Sequence, residues 1–176
     1  MEETKPINHF RAGLLIAAFM VVFSLIMNLV GQGNASSLGW LGNLVFIGAL
    51  IYFINKYGKA NNNTPSFGEL FSYGFKITSI VTLIMIIFLV IFFASFPEHK
   101  ATMLEAVTTE MEGQVDTGKI TESQADMMIN QYDKNFILLT GGSALFMYLV
   151  MGAIGSLIGA AITKKEPRTP FDQQIR

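Results

Sequence analysis

Residues 136–162 read FILLTGGSALFMYLVMGAIGSLIGAAI, 27 positions without a charged side chain. A bilayer's hydrocarbon core is about 30 Å thick, and about 20 helical residues cross it. Only a helix satisfies its own backbone N–H and C=O groups where there is no water, because an open sheet edge leaves them bare. The run therefore reads as a transmembrane helix, long enough to tilt or protrude. Within it, Gly152, Ser156 and Ala160 recur four apart, with Gly155 and Gly159 as a second such pair beside them. Small residues at this spacing let helix backbones approach closely, giving contact that lipid tails cannot match. A helix of the same chain is the expected occupant of that groove, and a second copy of the protein is the alternative.

Outward from this stretch, three more uncharged apolar runs occur: 12–30, 38–54 and 77–96, of 19, 17 and 20 residues. The second is short for a span. The whole chain of 176 residues is 51% hydrophobic and only 14% charged, against about 25% charged in an ordinary soluble domain. The first run is longer than the usual signal-peptide core, and the tail before it carries Glu2 and Glu3, so a retained helix is expected rather than a cleaved leader. The fold class expected is all-α, a four-transmembrane-helix bundle.

Lysine and arginine set its orientation. Lys5, Arg11, Lys56, Lys59, Lys76, Lys164, Lys165, Arg168 and Arg176 fall on one side of the four spans, and only Lys100, Lys119 and Lys134 on the other. The positive-inside rule then places both termini, the 55–76 loop and the 163–176 tail in the cytoplasm. Trp40 falls at the expected outer interface, and Tyr52 and Tyr57 near the inner one.

The connections carry their own signals. In the inner loop, the turn-forming run Asn61 to Pro65 precedes Ser66 and Glu69, which are spaced as a capping box, so the third helix is expected to start at Phe67. Its first stretch, with Phe67, Leu70, Phe71 and Phe75, is apolar at helical spacing and is expected against the inner interface or the C-terminal tail. The outer connection, 97–135, holds eight acids against three lysines, a local net charge of −5. Met103, Leu104, Val107 and Met111 recur at helical spacing, as do Ala125, Met128, Ile129 and Tyr132. A break is expected over Gly113 to Gly118, and Thr121 with Gln124 forms a second capping box. The reading is an antiparallel helical hairpin outside the membrane, bent at its first joint by Pro97. Its acids do not make an EF-hand: with Gly118 in the glycine position, Gly113, Val115 and Gln124 stand where carboxylates are required. They read as a solvated face.

Much chemistry is excluded. No cysteine is present, and His9 and His99 lie outside the apolar runs. No Asp, Glu, Lys, Arg or His falls within a span, whereas proton relays, ion pathways and voltage sensors place such groups there. No cofactor, metal ligand set or catalytic constellation is expected, and a net charge of −1 offers nothing to nucleic acid. Among uncharged polar groups, Asn28 and Asn43 are expected to pair across the first helical hairpin, with an outward-opening pocket as the alternative. Ser79 and Thr82 are expected to bond their own helix. The two halves also look alike: Phe10 to Gly13 matches Phe71 to Gly74, and Ile47 to Ile51 matches Ile158 to Ile162, as in a parallel repeat.

Tyr57-Gly58, Ser66 to Glu69 with Gly74, Lys119-Ile120-Thr121-Glu122 in the acidic connection, and the closing run Gly155 to Ile162 before Lys164-Lys165 occur together. In this combination the chain resembles a bacterial family of small four-helix membrane proteins classified only as a domain of unknown function. The resemblance implies a bacterial inner-membrane location and brings no catalytic or binding residue. The function expected is that of a non-enzymatic structural or accessory subunit. Its partners would be membrane lipids and a second copy or another membrane protein, met through the outer hairpin. A small channel or carrier for an uncharged solute is the alternative, followed by signalling or lipid handling.

Overall fold

The structure, a computed structural model, describes residues 6–30 and 36–165. These form six helices: α1 (His9–Leu29), α2 (Ser36–Ala60), α3 (Phe67–Ser95), α4 (Pro97–Asp116), α5 (Glu122–Lys134) and α6 (Phe136–Ile162). Helices α1, α3 and α6, and Trp40–Ala60 of α2, are long and apolar enough to cross a membrane.

Local chemistry sets the helix ends. The Asn8 side chain caps α1 by accepting from the Phe10 N–H. Helix α2 runs six residues past its apolar run, through Lys56 and Lys59, until the asparagines stop it. There the Asn63 N–H donates to Gly58 O and the Asn62 N–H to Lys59 O, a Schellman closure with Asn62 in the left-handed region at φ 53°. Ser66 and Glu69 open α3 at Phe67: the Ser66 N–H donates to the Glu69 carboxylate at 2.7 Å, and the Glu69 N–H donates to Ser66 Oγ at 3.3 Å. Pro97 begins α4, a first-turn position where its missing N–H costs nothing, so the chain breaks at Phe96. Helix α4 continues through Gly113, which the sequence places in the break, ends at Asp116 and is closed off by Gly118. That residue alone of the two has a left-handed φ, of 68°. Thr121 and Gln124 complete a capping box on α5.

The chain divides into two compact units, Met1–Met85 with Met147–Arg176, and Ile86–Phe146. In the first, the buried residues recur at helical spacing: Ala12, Ile16 and Met20 on α1, Phe46, Leu50 and Ile54 on α2, Leu70, Ile77 and Val81 on α3. Equally apolar residues such as Leu15, Leu44 and Leu83 lie on the outside. Apolarity therefore does not mark the inward face of these helices.

The second unit holds the end of α3, the α4–α5 pair and the start of α6. Helices α4 and α5 contact one another. Lys100, near the start of α4, forms a 2.8 Å ion pair with Asp133, near the end of α5. Phe136 is buried, with Phe93 and Tyr132 edge-on to it at ring-centroid distances of 4.8 and 5.7 Å. On α5, Ala125 is buried and Ile129 and Tyr132 half-buried, whereas Met128, expected on the same face, is 52% exposed. Three residues from Ala125 are 60° short of a full turn, so Met128 falls at the margin of the stripe.

Candidate functional site

Five small residues in the second half of α6 are buried: Gly152, Gly155, Ser156, Gly159 and Ala160. Their neighbours belong to the same chain. A Cβ on Gly152 would run into the Thr78 side chain of α3. One on Gly155 would lie 3.2 Å from Leu50 Cδ1, and one on Gly159 2.7 Å from Ile54 Cδ1, both on α2. Across from Ser156, a Cβ on Gly74 would meet Ser156 Oγ at 2.7 Å and Ile54 Cδ1 at 2.6 Å. Glycines thus face side chains on both sides of this seam, and at Gly74, Gly152 and Gly159 an added atom requires its neighbours to move.

The seam also gathers buried hydroxyls. Thr78 Oγ1 donates to Gly74 O and Thr163 Oγ1 to Gly159 O. Ser79 bonds its own helix, at Phe75 O, as expected. Thr82 does not: its Oγ1 and Ser156 Oγ are buried without a hydrogen-bond partner among the described residues. A hydroxyl in apolar surroundings costs about 1–3 kcal/mol when unpaired, and the packing around these two supersedes the intrahelical bond that local propensity favours.

At the start of α3 an open groove of about 540 Å³ lies between residues 6–9 and the opening turns of the helix. The Tyr57 and Tyr73 rings stack there, their centroids 4.0 Å apart and their planes 13° apart. The Tyr73 hydroxyl donates to Ile7 O at 2.7 Å and pins the segment preceding α1. His9 and Lys76 stand on the rim, with Glu69 engaged in the helix cap. The apolar opening of α3 meets the chain beyond α6 through Lys165, whose ammonium lies 5.1 Å from the Phe67 ring centroid.

A second cleft, of about 620 Å³, lies within the other unit. Val90, Phe93 and Ala94 of α3 and Ile137 and Leu138 of α6 form its apolar wall, and Lys100, Asp133, Lys134 and Asn135 its polar rim.

Asn28 and Asn43 are both half-buried, and no hydrogen bond between them occurs among the described residues. The matched halves of the sequence also occupy unlike surroundings. Gly48 has nothing within 4 Å of an added Cβ, whereas its counterpart Gly159 is packed against Ile51 and Ile54. Among the described residues no three His, Asp or Glu gather to hold a metal ion. The sequence reading passed over the Tyr73–Ile7 bond and the Asn8 cap. An asparagine just before an apolar helix is a start signal and marks the second. Nothing local marks the first, whose partners are 66 positions apart.

An all-helical chain with four helices long and apolar enough to span is built as a multi-pass membrane protein. Within that class it belongs to the family described as a protein of unknown function (DUF4199), whose sequence profile matches residues 11–165. No curated protein and no solved structure matches the chain.

Proposed function

We propose that the protein is a non-enzymatic accessory subunit of the bacterial inner membrane, with both termini cytoplasmic and α4–α5 forming a hairpin outside that meets a membrane-protein partner. The distribution of lysine and arginine supports the orientation. The observation that carries the partner role is the exposed side of α5, where adjacent Met127 and Met128 are 62% and 52% exposed on a helix whose other exposed side chains are polar. Unbranched, polarisable methionine side chains suit a docking surface because they adapt to the shape they meet. The surrounding acids favour a basic partner and would hasten its encounter at low salt.

A photo-crosslinking side chain at Met127, in the full-length protein expressed in its membrane, tests this. A discrete cross-linked protein is expected from position 127 and not from exposed Lys119. Equal products from both positions, or capture unchanged when 97–135 is replaced by a short linker, would remove the hairpin from the role.

A further inference from the structure

We propose that the cleft between the end of α3 and the start of α6 binds one phospholipid with an anionic headgroup, its upper acyl chain on Val90, Phe93 and Leu138 and its phosphate at Lys134. The apolar wall comes from the terminal turns of two span-capable helices, at the depth where a span meets the headgroup layer. Leu138 is 73% exposed there, so little of it is covered by the described residues. Directly above stands a polar rim, and this change of character over a few residues matches a lipid's own boundary between chain and phosphate.

The charges of the rim are already divided. Lys100 is committed: it pairs with Asp133 at 2.8 Å and lies 5.5 Å from the Phe136 ring centroid. Lys134, the next residue along, has no carboxylate within ion-pair distance among the described residues. It is the cation left for a phosphate. The first turn of α6 begins two residues later, and its opening N–H groups have no partner within α6 itself. The Asn135 side-chain N–H donates back to Gln131 O. A soluble phosphate would leave the apolar wall unused and would have to approach through the acidic surface of α4 and α5, whereas a lipid arrives sideways through the bilayer.

The full-length protein in lipid nanodiscs can be probed with phosphatidylglycerol bearing a photoactivatable group near the top of one acyl chain. Labelling is expected to concentrate in peptides holding residues 90–94 and 136–138. It should exceed labelling by the matching phosphatidylcholine probe, and excess soluble glycerol phosphate should not displace it. Lys134→Gln should lower cleft labelling about tenfold, the loss of one charge-assisted hydrogen bond, and Lys134→Arg should restore it. Circular dichroism confirms that both exposed-site variants fold. Label spread evenly to peptides around Leu15 and Leu83, displacement by glycerol phosphate, or no effect of Lys134→Gln in a folded protein would each overturn the proposal.

Discussion

Individual glycines in this protein differ by what stands opposite them. Gly152 and Gly159 face Thr78 and Ile54 so closely that a methyl group cannot fit without movement, whereas Gly48 faces open space. Gly152→Ala and Gly159→Ala should therefore each destabilise the protein by about 1–3 kcal/mol through overpacking. Gly48→Ala should leave stability unchanged or raise it slightly, because alanine is the better helix former. Thermal unfolding of the three variants in one detergent checks the order. A parent-like melting temperature for Gly152→Ala would mean that the seam yields freely. The spacing of small residues in α6 was legible in the sequence. Which neighbours they meet was not, because α2 and α3 both offer branched apolar side chains along their whole length.

At the scale of the element, helix ends were the most readable feature. Ser66, Thr121 and Pro97 act on backbone groups within four residues, so the sequence contains both partners. The end of α4 shows the limit of that reasoning. Two glycines were available, and the helix stops at the one whose next residue can close the chain: the Lys119 N–H donates to Gln114 O while Gly118 takes φ 68°. Gly118→Ala should cost about 1 kcal/mol, the strain of a left-handed alanine. Gly113→Ala, in the helix interior with nothing within 4 Å of the new atom, should gain stability. Amide exchange in α4 and α5 separates the two: faster for Gly118→Ala, slower for Gly113→Ala, with Val107 and Ile129 as reporters. Identical exchange in both variants would place the turn elsewhere.

For the whole molecule, the distribution of lysine and arginine predicts sidedness. A reporter active only in the cytoplasm should work when fused after Arg176 and fail when inserted at Gly118. The reverse pattern would invert the charge-based orientation. High salt should weaken capture of a basic partner by the acidic 97–135 segment, since exposed charges are screened beyond about 10 Å at 0.1 M salt. Capture that is indifferent to salt would assign the contact to Met127 and Met128 alone.

By itself the sequence determined how many spans the chain can make and where most helices begin and end. Both properties depend on short-range terms: the transfer of apolar runs into lipid, and the capping of bare backbone groups. The tertiary structure alone decided which faces turn inward. In water, burial sorts leucine from lysine and leaves a stripe on each helix. Lipid removes that sorting, since Leu44 is as well placed outside as Leu50 is inside. What then chooses the face is close-range shape. Gly74 admits Ser156, Gly152 admits Thr78, and the Tyr73 hydroxyl reaches a carbonyl 66 residues away, all contacts that exist only once the helices have come together.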